Sequence, residues 1–306
     1  MQINQLFNAT YDRLLSEETK ERSERVILSV AIASYIIHLL VIFSINRGWI
    51  ELESAFTKDP IAAIYTPFSF ILVYEVYLLI FYLPKSITIY IGKQYEIITL
   101  ILIRRIFKDI ANIELTSNWF EVKDDVQFTY DILTSVVLFF LIYLFYQQIK
   151  KRTYVSIKKE DGTAKDIRSF IKLKKIIAAI LVPTLLLMAI VSFFNWATDA
   201  IYSYQNSLAE LKDINDIFFD EFFTILIIVD VLLLLASFYY SHQFHKIIRN
   251  SGFIISTILI KISFSVDGFI NIALIIGAVV FGLMMLFIHN RYEENISFEE
   301  ESEEED

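Results

Sequence analysis

Long apolar blocks alternate with short charged connections along this chain. Six blocks, at residues 26–45, 61–83, 128–146, 176–196, 218–240 and 269–288, each approach the ~20 predominantly apolar residues that a helix needs to cross a ~30 Å hydrocarbon core. Two further segments are interrupted. Residues 95–115 start apolar and then carry Arg104, Arg105, Lys108 and Asp109, while residues 253–264 contain Lys261 and are followed by Ser265 and Asp267. The opening 25 residues are charged and amphipathic, and the apolar run after them is too long for the core of a signal peptide, so none is expected.

The distribution of bases decides whether the interrupted segments cross. The connection after residue 146 carries ten bases between Lys150 and Lys175 against Glu160, Asp161 and Asp166, which places it in the cytoplasm. Connections 84–93 (Lys85, Lys93) and 241–250 (Lys246, Arg249) are also basic, whereas 47–60 and 197–221 are rich in acids. Without a crossing at 95–115 the basic loop would be forced outside. The expectation is therefore an all-α integral membrane protein of eight transmembrane helices, with both termini cytoplasmic.

Composition agrees with this reading. The chain of 306 residues is 56% apolar, holds no cysteine and has only 7 glycines and 4 prolines, which excludes a disulfide scaffold, a collagen-like chain and a disordered one. The net charge of -9 belongs to residues 293–306, which hold nine acids and no base; the rest balances 27 acids against 27 bases. Residues 290–306 are expected to form an acidic, disordered and solvated tail, because like charges in a run repel one another. Abundant Ile, Lys, Asn, Phe and Tyr point to an AT-rich bacterial genome, and hence to the cytoplasmic (inner) membrane.

An internal repeat is visible. EIITLILI at 96–103 parallels FIISTILI at 253–260, with Arg104 after one and Lys261 after the other. Upstream, the acid of Tyr74-Glu75-Val76 corresponds to that of Val229-Asp230-Val231, and VIFSIN at 41–46 resembles IVSFFN at 190–195. This predicts two parallel four-helix units, 26–147 and 174–289, related by a pseudo-two-fold axis along the membrane normal. The amphipathic segment 1–25 precedes them, and the basic linker 148–175 joins them. Lying between two spans, that linker is suited to lipid headgroups and not to nucleic acid.

Each unit thus places one acid and one base near the bilayer centre. Glu75 lies roughly 20 Å along its helix, at 1.5 Å per residue, and Arg104, Arg105, Asp230 and Lys261 fall at similar depth. An unpaired charge there costs about 2.5–3.5 kcal/mol or more, so pairing of Glu75 with Arg104 or Arg105, and of Asp230 with Lys261, is expected. Arg105 and Asp109 also share a helix face. The pairs are either structural glue or the lining of a path for a small ion or solute, the usual role of intramembrane ionisable groups. His38, about midway along the first block, is either a proton switch or a hydrogen-bonded packing residue. The order Glu75, Pro84, Glu96, with Arg105 and Lys108 three apart, resembles part of the voltage-sensor fold of ion channels. The fourth span, however, lacks the arginines that such a sensor carries there, and the chain is not assigned to that family.

No phosphate loop, GxGxxG or HExxH occurs, and no nucleophile sits in a hydrolase motif, so no enzyme activity, cofactor or resident metal is expected. His242 and His245 are read as interfacial histidines in preference to a metal pair. Ala273, Gly277, Ala278 and Gly282 allow close helix packing within the chain, or in a homo-oligomer or with a membrane partner protein. The leading functional expectation is a channel or secondary transporter moving a small ion or solute, with proton or cation coupling, past Glu75, Arg104, Arg105, Asp230, Lys261 and His38. The alternative is a non-transporting sensor, scaffold or assembly subunit.

Overall fold

The computed structural model describes residues 11, 13–49, 63, 65–110, 123–156, 164–202, 214–240, 243–266 and 268–304. Among these the chain is all-helical. Eight helices follow in order: α1 (Glu17–Asn46), α2 (Tyr65–Tyr82), α3 (Ile87–Ile110), α4 (Lys123–Ser156), α5 (Ala164–Tyr202), α6 (Ile214–Tyr240), α7 (Phe244–Ser263) and α8 (Gly268–Glu304). Four of them, α1, α4, α6 and α8, are long and apolar enough to cross a membrane, and the chain reads as a membrane protein. The α8 helix continues to Glu304, over most of the segment expected as an acidic tail.

Local signals account for several helix ends. Ser16 caps α1 by accepting the Thr19 backbone N–H at 3.1 Å, and Glu17 and Glu18 place negative charge at the positive end of the helix dipole. Pro67 falls in the first turn of α2, where a missing N–H costs nothing. Gly268 starts α8 at a φ of +68°, a left-handed conformation that a side chain would resist.

The exposed faces are apolar. In the most apolar stretch of α1 only 11% of residues are buried, and Ile32, Ile37 and Leu40 are each about 60% exposed. Phe139 of α4 is 75% exposed. Water would penalise so continuous an apolar surface, whereas lipid accepts it. The α7 helix shows the pattern most sharply. Ile248, Ile255 and Ile262, seven residues apart, face outward, while Arg249, Asn250, Ser256, Thr257 and Ser263 are buried. Phe253, Ile254 and Ile260 are buried with them, so the inward face is mixed and the outward one apolar, unlike a water-soluble amphipathic helix.

The chain divides into two compact units. The first comprises Met1–Phe81, Leu100–Ile132 and Ile176–Phe223. In it, Tyr74 Oη donates to Glu24 at 3.1 Å and Tyr77 Oη to the Leu14 carbonyl at 2.9 Å. The Lys20 ammonium sits 5.1 Å from the Phe81 ring centre, and Phe68 stacks on Phe107.

The second unit comprises Tyr82–Thr99, Leu133–Lys175 and Thr224–Asp306. Its core is an aromatic cluster in which Phe145 meets Tyr95 edge-on at 5.2 Å and Phe253 at 5.9 Å. Gly282 lets α8 approach the Tyr95 hydroxyl so closely that a Cβ there would clash with it, and Gly252 seats the Met285 side chain. Gly277, by contrast, faces open space. One member of the small-residue stripe therefore serves packing within the chain.

Candidate functional site

The second unit contains a buried polar network built on α3, α6 and α7. Tyr90 and Gln94 lie one turn apart on α3, which puts them on one face. Asp230, 3% exposed, sits within the apolar α6 helix. Gln94 Nε2 donates to Asp230 Oδ2 at 3.0 Å. Its Oε1 accepts the Thr257 hydroxyl of α7 at 2.7 Å. With one end of the amide donating and the other accepting, both neighbours fix its orientation. The buried Tyr90 hydroxyl interacts with Asp230 and Gln94 but closes no well-aligned hydrogen bond.

A second chain of hydrogen bonds starts one residue away on each helix. Ser256 Oγ donates to the Ala278 carbonyl of α8 at 2.7 Å. Its proton is thereby committed, so the Tyr95 hydroxyl is the donor in the 2.8 Å contact with Ser256. Consecutive residues of α3 (Gln94, Tyr95) and of α7 (Ser256, Thr257) thus feed two separate networks. Small hydroxyl residues at such contacts let helices approach closely and satisfy polar groups away from water.

Lys174, at the edge of this unit, is 3% exposed. Its ammonium donates to the Lys85 carbonyl at 2.9 Å and lies 5.1 Å from the Phe170 ring centre. Burial pushes this group down to about 8, with the Asp230 carboxylate opposing the shift and the Arg249 guanidinium adding to it.

The six path residues read from the sequence are divided between the units. His38, Glu75, Arg104 and Arg105 belong to the first; Asp230 and Lys261 belong to the second. Asp230 takes Gln94 as its partner in place of the expected Lys261. Lys261 Nζ instead donates to the Thr224 hydroxyl of α6. The physical reason is length and position: Thr224 is nearly two turns before Asp230, and the long lysine side chain reaches along the helix towards its end.

Arg105 grips Asp131 of α4 with a bidentate fork, Nε to Oδ2 and Nη2 to Oδ1 at 2.5 Å, and Gln127 adds a third donor to that carboxylate at 2.8 Å. Asp131 is fully buried. His38 Nδ1 lies 2.6 Å from the Thr66 hydroxyl, so the histidine hydrogen-bonds across to α2. Glu75 is half-buried on α2, and Arg104 is 6% exposed on α3. The side chains of Lys108 and Asp109, and His242, lie outside the described residues.

Gln94, Thr257, Tyr90, Lys174 and Asp131 were not singled out from the sequence. Asp131 carried a signal, being an acid inside an apolar span with a base on the preceding helix. The neutral Gln94 and Thr257 carried none, because their role depends on a partner 163 positions away. No protein-family model, curated protein or solved structure matches this chain.

Proposed function

We propose that this chain is a multi-pass membrane transporter or channel for a small ion or solute, with Asp230 as the group that loads and releases a proton or cation. The observation that carries the reading is the bonding of Asp230. Its carboxylate is buried in an apolar helix and is held by a neutral amide, not by a bidentate base as Asp131 is. A structural intramembrane anion is normally neutralised by a close cation. Asp230 takes its hydrogen bond from an amide, and the Lys174 ammonium acts on it through space; a carboxylate so placed is stabilised by taking up a proton or a small cation, which makes it an exchangeable site.

The eight-span topology belongs to the same proposal. Four helices meet the length and composition needed for a crossing, and the apolar outer face of α7 supports lipid contact for a segment with a basic residue in it. The repeat of 26–147 and 174–289 would then relate Glu75 to Asp230 and Arg104 to Lys261, with both termini cytoplasmic.

Bonding of Arg105 with Asp131 favours the second reading for that part of the molecule. A bidentate fork on a fully buried carboxylate reads as structural glue and supports a sensor, scaffold or assembly subunit. Flux in proteoliposomes separates the two. The protein is reconstituted under an imposed potential, and proton and cation indicators are followed for wild type, Asp230→Asn and Glu75→Gln, each checked for folding. Loss of flux in a folded Asp230→Asn protein supports the transport reading. Absence of flux of protons and common cations in the wild type supports the non-transporting one.

A further inference from the structure

Near one end of α7 and the corresponding part of α8, two pairs of side chains face each other, each pair one helical turn apart. His245 and Arg249 lie on α7; His289 and Glu293 lie on α8. His289 Nε2 is 3.1 Å from Glu293 Oε1, and His245 Nε2 is 3.9 Å from the same oxygen. All three donor atoms fall within 4.8 Å of one another. A tetrahedral ion with bonds of about 2.0–2.2 Å holds its donors about 3.3 Å apart, so a small tightening of this set would suffice.

The donor chemistry is specific. Two imidazoles and one carboxylate suit Zn2+, Co2+ and Ni2+, whereas Ca2+ and Mg2+ prefer oxygen ligands alone. The rings are held in place from outside: His245 stacks on His289 at 5.1 Å and on Tyr292 at 5.2 Å. His289 is buried, while the side chains of His245 and Glu293 retain 12% and 23% exposure, which leaves a way in from solvent.

Arg249 completes the arrangement. Its Nη1 lies 2.7 Å from His289 Nε2, on the lone pair that a metal would use. Its Nε and Nη2 both donate to Asn250 Oδ1, at 3.2 and 2.9 Å. The guanidinium therefore supplies positive charge beside Glu293 in the metal-free protein. It can give up the imidazole without losing its bonds to Asn250.

We propose that His245, His289 and Glu293 form a binding site for a divalent ion of the Zn2+ class, with Arg249 as the competing cation that the metal displaces. Three protein donors leave a fourth coordination position for water. The site does not depend on the transport reading.

Co2+ titration of the full chain, purified in detergent without a polyhistidine tag, tests this. The expected result is a saturable, intense visible absorption of tetrahedral Co2+ that Zn2+ removes. Glu293→Gln and His245→Ala, both on partly exposed side chains, should weaken binding by more than the roughly 10–100-fold that loss of an outer hydrogen-bonding partner costs. Arg249→Gln should tighten binding severalfold, an effect that a ligand or a purely structural residue would not give. His242→Ala should leave it unchanged. Absence of saturable binding to the wild type overturns the proposal. So does binding indifferent to Glu293→Gln and His245→Ala, or weakened by Arg249→Gln.

Discussion

Gln94 and Asp230, 136 positions apart in the chain, are joined by a single hydrogen bond of 3.0 Å inside an apolar helix bundle. The same Gln94 accepts from Thr257 at 2.7 Å, so one neutral side chain ties α3 to both α6 and α7. Asp230, the acid of this network among the described residues, thus takes its hydrogen bond from a neutral amide, while the Lys174 ammonium acts on it through space.

Thr257→Val removes the donor that fixes the Gln94 amide. The amide then loses one neighbour and is left with a buried, unsatisfied oxygen, at a cost of about 1–3 kcal/mol. Thermal unfolding in detergent should show this loss. Gln94→Leu should cost more than Thr257→Val, because it also strips Asp230 of its donor. Equal stability of wild type and both variants would contradict the network.

Gly282→Ala should destabilise the second unit by about 1–3 kcal/mol, the usual cost of overpacking. The new methyl group meets the Tyr95 hydroxyl, which is anchored on Ser256 and cannot swing away freely. Tyr95→Phe removes the clashing atom, so the double variant should recover part of the loss. Gly277→Ala, facing open space, should be neutral or slightly stabilising. A comparison of the four melting temperatures checks the pattern.

Breaking the Arg105–Asp131 fork leaves a buried anion with Gln127 as its remaining partner of the pair described. Arg105→Gln is therefore expected to cost about 3 kcal/mol, in the range for one-sided removal of a buried pair. Asp131→Asn, which keeps the shape and removes the charge, should be milder. Replacing both with apolar residues should restore much of the loss, which a double-mutant cycle would measure.

Lys174 gives a dependence on pH. Burial lowers this base from 10.5 to about 8. The folded state thus binds its proton less tightly than the unfolded one. The penalty is fully present below pH 8 and is relieved as pH rises towards 10.5, so stability from this group increases with pH across that window. At about 1.36 kcal/mol per unit the penalty is at most roughly 3–4 kcal/mol. Lys174→Met, judged by melting temperature against pH, should flatten the rise relative to wild type. An unchanged slope would contradict the assignment.

The two readings of sequence and structure meet most closely where lipid dictates the pattern. Long apolar runs such as that of α1 leave little choice of structure, since a backbone in hydrocarbon must satisfy its own hydrogen bonds. The polar partners were not legible in the same way. Asp230 and Lys261 invite pairing because both are charged, yet the folded chain gives Asp230 a neutral glutamine and Lys261 a threonine. Which neutral residue meets a buried acid depends on how distant helices are rotated, and no local periodicity encodes that. The His289–Glu293 spacing of four was visible, but its meaning required His245 from a different helix.

On the proposed function, Asp230 is an exchangeable group and not a sealed one. Infrared titration of the reconstituted protein tests it most directly, by following the protonated-carboxyl stretch as bulk pH changes. The expected result is a band that appears and disappears reversibly with pH in the wild type, shifts in Gln94→Leu and is absent from Asp230→Asn. A spectrum with no Asp230-dependent band change at any pH where the protein stays folded would contradict it.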